Sequence, residues 1–346
     1  MFRFDSDYQE GADERVLKAL ASVNQEQNEG YGEDAFCRRA RMLIRELTQA
    51  EDVAVHFISG GTQANLTVIA AALRPWEGVL SADTGHIAVH ETGAIEATGH
   101  KVLPLTSKEG KITAEQVACA VREHREDPTH EHMVKPALVY ISHPTELGTL
   151  YSRAELSALS RVCRQNDLFL YLDGARLGYG LAAEPDVDLP LLAKLCDAFT
   201  IGGTKAGLLF GEAIVIPNEQ LCTEFRYAIK QRGGMLAKGW LLGLQFEAIL
   251  AEGYYVEACA RANALAKRVK AAFLKRGYPL LCDTIANQVF PVLPRADISR
   301  LSLEFSFAKW QRVDEGHEAL RFCVGVTTPE ANVAILEKAI LSLPGV

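Results

Sequence analysis

Short apolar runs alternate with helical spacings along most of the chain. "VAVHFIS" (53–59) leads into "TQANLTVIAAAL" (62–73), "KVLPLT" (101–106) into "TAEQVACAVREH" (113–124), and "KPALVYIS" (135–142) into "RAELSALSRVCRQ" (153–165). "LFLYLD" (168–173), "LPLLAKLC" (189–196), "AFTIGG" (198–203) and "EAIVIP" (212–217) continue the series. Apolar runs of about four to eight residues between helices predict strands buried on both faces, and therefore a mainly parallel sheet in an α/β protein. Residues 35–49 carry helical spacing, and residues 1–15 are polar and irregular. From about residue 218 the pattern is helical through Gly253, and a second long helix is predicted over 254–276. Strand-like pieces at 287–293 and 321–326 and a last helix at 328–342 predict a smaller α/β domain. The expected division is a large domain of residues 1–250, with residues 1–15 an arm near the active site, and a small domain of residues 251–346.

Composition narrows the function. The 346 residues are 48% hydrophobic and 23% charged, ordinary values for a globular protein. A formal charge of −8 argues against nucleic acid as a partner. No apolar run of about eighteen residues and no charged-then-apolar leader is present, so a soluble cytoplasmic protein with no membrane partner is expected. The eight cysteines are scattered without a C-x-x-C pair, and they read as mostly buried thiols with no metal site and no disulfide framework.

Three motifs fall where predicted strands end, the place where open α/β sheets bind ligands. "SGGTQAN" joins a strand to a helix, and its glycines and helix N-terminus make a phosphate cradle. The plain alternative is a tight turn with Thr62 as N-cap. "LFLYLDGARLG" ends its apolar run on Asp173, a carboxylate that needs a cationic partner there; the plain alternative is a pair with Arg176. "TIGGTKAG" places Lys205 among glycines. A phosphate cradle, a buried carboxylate and a desolvated lysine form the set that pyridoxal phosphate requires. Its aldehyde forms a Schiff base with a lysine, its ring nitrogen is kept protonated by an acid, and its phosphate favours a helix N-terminus. Desolvation also lowers a lysine's pKa and favours the nucleophilic amine.

The chain resembles the L-threonine aldolases of the β-eliminating-lyase group, fold type I pyridoxal-phosphate enzymes. The resemblance rests on "RFDSD" (3–7), "GYGED" (30–34), "SGGTQAN", "TGHIAVHETGA" (84–94), "PTELGTLYS" (144–152), "DGARLG" (173–178), "GGTKAG" and "LRFCVGVTTPE" (320–330), in the family's order. It implies a homodimer or homotetramer with shared active sites. It assigns Lys205 to the covalent bond with the cofactor and Asp173 to the pyridinium nitrogen. His86 stacks on the cofactor ring and acts near the substrate hydroxyl. Gly61, Thr62 and Thr204 bind the phosphate. Arg176 and Arg321, with Ser6, clamp the substrate carboxylate; the plain alternative for Arg321 is a pair with Glu304 or Glu318. Tyr31 and either Lys230 or Arg232 reach the neighbouring subunit's cofactor. His132, just before "KPALVYIS", is a candidate base, and His143 sits near the crevice edge. The implied reaction is retro-aldol cleavage of an L-β-hydroxy-α-amino acid, threonine or allo-threonine among them, to glycine and an aldehyde. The alternative is β-elimination or transamination on the same scaffold, since fold and cofactor do not fix the reaction.

Overall fold

The computed structural model describes residues 1–345. A two-residue strand, β1 (Phe2–Arg3), comes first, followed by the helix Glu14–Ser22, which Asp13 caps. The main sheet is built from β2 (Ala54–Ile58), β3 (Glu77–Ala82), β4 (Val102–Leu105), β5 (Lys135–Ser142), β6 (Phe169–Asp173), β7 (Ala198–Gly202) and β8 (Glu212–Ile216). Its order is β2-β8-β7-β6-β5-β3-β4, with β8 antiparallel to both neighbours and the other pairs parallel. Successive residues of β5 feed two cores: Leu138 and Tyr140 face one, Val139 and Ile141 the other. This burial on both faces is why the strands read as continuous apolar runs. Capping boxes at Thr113 and Ser152 start the helices Ala114–Glu126 and Arg153–Gln165, which follow β4 and β5.

Helix Tyr254–Lys275 leads into the C-terminal part, which contains β9 (Gln288–Val289), β10 (Val292–Pro294), β11 (Phe305–Ser306), β12 (Ala308–Arg312), β13 (His317–Cys323) and the helix Glu330–Leu341. Strand β13 is central there, antiparallel to β10, β12 and β9. Strand β1 pairs in parallel with β11, so the first residues are not irregular.

Several expectations need correction. Strand β3 went unpredicted because Glu77, Gly78 and Ser81 interrupt its apolar pattern, yet it is buried along its whole length between β4 and β5. Helical structure does not run unbroken from 218: helices Glu219–Cys222, Phe225–Gln231 and Trp240–Leu250 are separated, and Gly233 takes a left-handed φ of +72° in the last gap. The strand expected at 321–326 begins four residues earlier, at His317. All eight cysteines are free, and six are buried.

One tyrosine braces the end of the sheet that carries the crevice. The Tyr255 hydroxyl donates to the Gly202 carbonyl at 2.8 Å and accepts from the Gly178 N–H at 3.0 Å. It thereby ties the end of β7 to the helix Leu177–Ala183 that follows Arg176. Tyr255→Phe leaves a buried N–H without a partner, so a loss of about 1–3 kcal/mol is expected, read as a lower denaturant midpoint with an unchanged slope.

Candidate active site

Because β8 runs against its neighbours, its first residue, Glu212, lies at the same sheet end as Gly202 of β7 and Asp173 of β6. At that end a crevice brings Gly61, His86, Asp173, Arg176 and Lys205 together. The Asp173 carboxylate is 5% exposed and accepts from the Tyr140 hydroxyl at 2.7 Å, Asn65 Nδ2 at 2.9 Å and the Ala175 N–H at 2.9 Å. Burial, with the Asp173 charge, pushes the Tyr140 hydroxyl well above its ordinary pKa and keeps it a donor. Asn65 also donates to Glu91 at 2.7 Å, and Glu91 meets His86 Nδ1 at 2.7 Å. Glu91 is acceptor-only when ionised, so His86 carries its proton on Nδ1 and directs Nε2 away from this chain of bonds.

The pair between Asp173 and Arg176, the plain alternative, is not formed. Arg176 makes a two-point bridge to Asp7, Nε to Oδ2 at 2.7 Å and the terminal nitrogen to Oδ1 at 3.0 Å, and Asn287 Nδ2 adds a bond to Asp7 at 2.8 Å. Among the described residues, Asp173 has donors around it but no cation within ion-pairing distance. Lys205 lies in a short turn, Thr204–Ala206, directly after β7. Burial, then the Arg176 charge, lowers the pKa of its amine, while Asp7, Asp173 and Glu212 act in the opposite sense. The turn is fixed by bonds from the Gly203 and Thr204 N–H groups to the Gly211 carbonyl, and the Gly211 N–H donates to the Thr204 hydroxyl at 3.0 Å.

Helix Gly61–Ala72 starts at the crevice. Its N-cap is Gly60, without a side-chain bond, so Thr62 is not the cap. The first backbone donor with a partner inside the turn is Ala64, which bonds to Gly60. A Cβ built at Gly60 or Gly61 would meet nothing within 4 Å, so the space before these N–H groups is open. An uncapped helix start facing open space suits an anion. An uncompensated buried carboxylate, a desolvated lysine and this cradle fit pyridoxal phosphate: Asp173 for the ring nitrogen, Lys205 for the aldehyde, and Gly61 and Thr62 for the phosphate.

The remaining candidates are placed unevenly. Ser6 is buried next to Asp7 and accepts from Gln9 at 2.9 Å. Arg321 pairs with neither Glu304 nor Glu318. It donates to the Asp5 carbonyl at 3.0 Å and lies 5.2 Å from the Trp310 ring, and its buried Nε has no partner. Tyr31 and Lys230 do not line this chain's crevice; they meet each other, with the ammonium 4.9 Å from the ring, and Tyr31 is exposed. The Arg232 carbonyl accepts from Gln63 at 3.0 Å, beside the cradle. His132 is a correction: it is exposed in a turn before the start of β5, whereas the crevice is at the other end of that strand. At about 3.3 Å per residue it stands more than ~20 Å away and cannot act as base in this chain's own crevice. His143 is fully buried, its Nδ1 accepts from the Tyr151 N–H, and burial lowers its pKa to about 4, so it serves as a neutral core acceptor. Sequence reasoning gave no role to Asp7, Asn65, Glu91, Tyr140, Glu146 or Glu212. Glu146 accepts from the His86 N–H at 2.8 Å and the Ser142 hydroxyl at 2.6 Å.

Asp7 yields a pH test. Burial alone would raise its carboxyl, but Arg176, Lys205 and Asn287 outweigh burial and hold it below the ordinary 3.8. A depressed carboxyl contributes stability that is complete above its unfolded value and lost as pH falls through the folded one. Asp7→Asn leaves Arg176 buried without its counter-charge, and a loss of about 3–5 kcal/mol at neutral pH is expected. Denaturant unfolding at falling pH should show the gap between the two proteins closing only below the ordinary carboxylate range.

The comparisons with known proteins agree with this geometry. The family model described as beta-eliminating lyase matches residues 4–293. A low specificity L-threonine aldolase of Pseudomonas aeruginosa is 32% identical over 308 residues, 86% of each chain. One from Pseudomonas sp. is 31% identical over 292 residues, 83% of each chain. A solved Leishmania major threonine aldolase superposes with a TM-score of 0.94 at 42% identity, covering 98% of this chain and 100% of its own. A solved Thermus thermophilus aspartate aminotransferase shares the fold, with a TM-score of 0.70 at 15% identity over 99% of this chain and 91% of its own. A match over most of the chain, joined to a crevice with these charges at these strand ends, means that the chain belongs to the beta-eliminating lyase family.

Proposed function

We propose that the protein cleaves L-threonine, L-allo-threonine and related L-β-hydroxy-α-amino acids to glycine and an aldehyde, with pyridoxal phosphate as cofactor. The observation that carries this reading is the Asp173 carboxylate, buried under three donors without a cation and facing the same crevice as Lys205. The 42% identity to a threonine aldolase over nearly the whole chain selects the aldol reaction among those the fold supports.

When bound, the cofactor supplies an electron sink for the pair released as Cα–Cβ breaks. Lys205, whose amine burial pushes toward the neutral form, would hold the cofactor's aldehyde. Asp173 keeps a proton on the ring nitrogen, and Asn65 and Tyr140 fix the carboxylate for that task. His86, held by Glu91 through Nδ1, presents Nε2 to the substrate and takes the β-hydroxyl proton. Arg321, with its Nε uncommitted, and Ser6 hold the substrate carboxylate. Arg176 contributes only the guanidinium edge that Asp7 leaves free. Gly61 and Thr62 hold the phosphate, and Thr204 braces the turn behind Lys205. Tyr31 and Lys230, paired away from their own crevice, serve a neighbouring subunit in a homodimer or homotetramer, with Arg232 beside the cradle as the other basic candidate. The protein is a cytoplasmic enzyme whose large domain spans 1–250 and small domain 251–346, with β1 packed on the latter. No helix among the described residues is long and apolar enough to cross a membrane.

Incubation of the pyridoxal-phosphate-loaded protein with threonine, allo-threonine and phenylserine tests the reaction. Glycine with an aldehyde is expected; ammonia with a keto acid would instead mean β-elimination or transamination. Asp173→Asn should retain cofactor while turnover drops by roughly ten- to a thousandfold, corresponding to about one to three units of lost stabilisation of the ring proton. Turnover near the wild-type rate would leave Asp173 a structural residue.

A further inference from the structure

Glu212 is a buried acid at the crevice end of the sheet to which the proposed mechanism gives no task. It is 3% exposed, and its Oε2 has no hydrogen-bond partner. Side chains alternate along a strand, so Glu212 shares a face with Ile214 and Ile216, and Asp173 shares a face with Tyr171. Ile214, Ile216, Tyr171 and Ile58 belong to one core, so the two carboxylates lie on the same side of the sheet. Between them runs β7, which ends on Gly202 directly opposite Glu212. Lys205 follows three residues later, in the turn that Gly211, the neighbour of Glu212, holds by its backbone.

From the turn after β7, Glu212 faces Lys205, the Thr204 hydroxyl and the Gly203 N–H; from β6, Asp173. Tyr171 of β6 and Tyr255 of helix Tyr254–Lys275 also feel its charge. From β2 its partner is Ile58, which carries no charge. Lys205 is thus the only cation on any of these elements to face it. An ionised acid so placed needs that ammonium, and once Lys205 becomes a neutral amine nothing else in the group compensates the charge.

We propose that Glu212 is the proton partner of Lys205, the buried acid that receives the ammonium proton when the lysine becomes a neutral nucleophile and returns it when the amine is set free. The step balances within the protein: one N–H bond breaks, its electron pair stays on Nζ, and one O–H bond forms on the carboxylate. No co-reactant is needed; the two groups form no ion pair at rest, so Lys205 Nζ has to turn toward the unpartnered Oε2 for the proton to pass. Burial pushes the carboxyl up to about 8, Lys205 pulling it back and Asp173 adding to the rise, so the ionised acceptor that takes the lysine proton is present in the mildly alkaline range. This inference rests on the reading of Lys205 as the nucleophile.

The test is the acid–base behaviour of Lys205 itself in the full-length chain freed of pyridoxal phosphate. Trace acetylation with acetic anhydride across a pH series, followed by peptide mass analysis, gives the midpoint at which Lys205 becomes reactive. In Glu212→Gln the midpoint should fall by about one pH unit or more, because a nearby opposite charge that favoured the ammonium is gone. Below the midpoint that means about tenfold more reactive lysine. Glu212→Asp, which keeps an acid, should stay closer to the wild-type midpoint. Identical midpoints in wild type and Glu212→Gln would overturn the proposal. Should the amide variant fail to fold, the wild-type chain still decides. Loading with pyridoxal phosphate at a pH above 8, where Glu212 starts ionised, should add one protonated carboxylic acid band to the difference infrared spectrum, and a saturated chain without that gain would overturn the proposal. The acetylation series uses no cofactor, so a chain that binds none refutes the functional reading while this question is still answered.

Discussion

The two-point bridge between Arg176 and Asp7 is the interaction on which the crevice depends. Arg176 follows β6 in the main sheet, Asp7 lies just beyond β1, and Asn287, which also holds Asp7, precedes β9 in the C-terminal part. Three distant stretches of sequence therefore meet at one buried carboxylate. A buried pair of this kind gives little net stability compared with an apolar replacement, but it is costly to break from one side. It fixes the place where the N-terminal residues, the main sheet and the C-terminal part close on one another. It also sets the field at Lys205, because Arg176 and Asp7 act on that amine with opposite signs.

The charges at the crevice are sorted by partner. Arg176 has its carboxylate; Asp173 has hydrogen-bond donors but no cation; Lys205 has charged neighbours but no direct ion pair. A fold that buried three charges only for stability would pair them all. The unpaired state of Asp173 and Lys205 is tolerable because Tyr140, Asn65 and the Ala175 N–H solvate the first and desolvation weakens the charge of the second. Both remain available to a ligand.

Much of this was legible in the sequence because buried parallel strands leave a coarse signal. The runs 135–142, 168–173 and 198–203 matched β5, β6 and β7 to within a residue, and the motifs after β2, β6 and β7 do meet in space. Strand β3 escaped because a glutamate, a glycine and a serine occupy a strand that its neighbours bury regardless. The Asp173–Arg176 pair offered itself as the plain alternative because the two are close in sequence, whereas the partner that the fold selects for Arg176 is 169 residues away. His132 was placed by likeness of position, and the length of β5 separates it from the crevice. Asn65 and Glu91 lie inside motifs that were recognised, but their bonds to Asp173 and His86 depend on how a helix and a loop cross the sheet, which spacing alone does not reveal.

The parallel pairing of Phe2–Arg3 with Phe305–Ser306 bears on the order in which the molecule can be assembled. Residues 2 and 3 cannot take their final place until the stretch around residue 305 has been made. Contacts this far apart in sequence are entropically late, so the main sheet can form while the N-terminal segment is still loose. Until Asp7 arrives, Arg176 lacks its bridging carboxylate. A half-made chain would thus hold a nearly complete sheet with an open, unready crevice, and competence would come only when the segment bearing Asp7 docks on the C-terminal part.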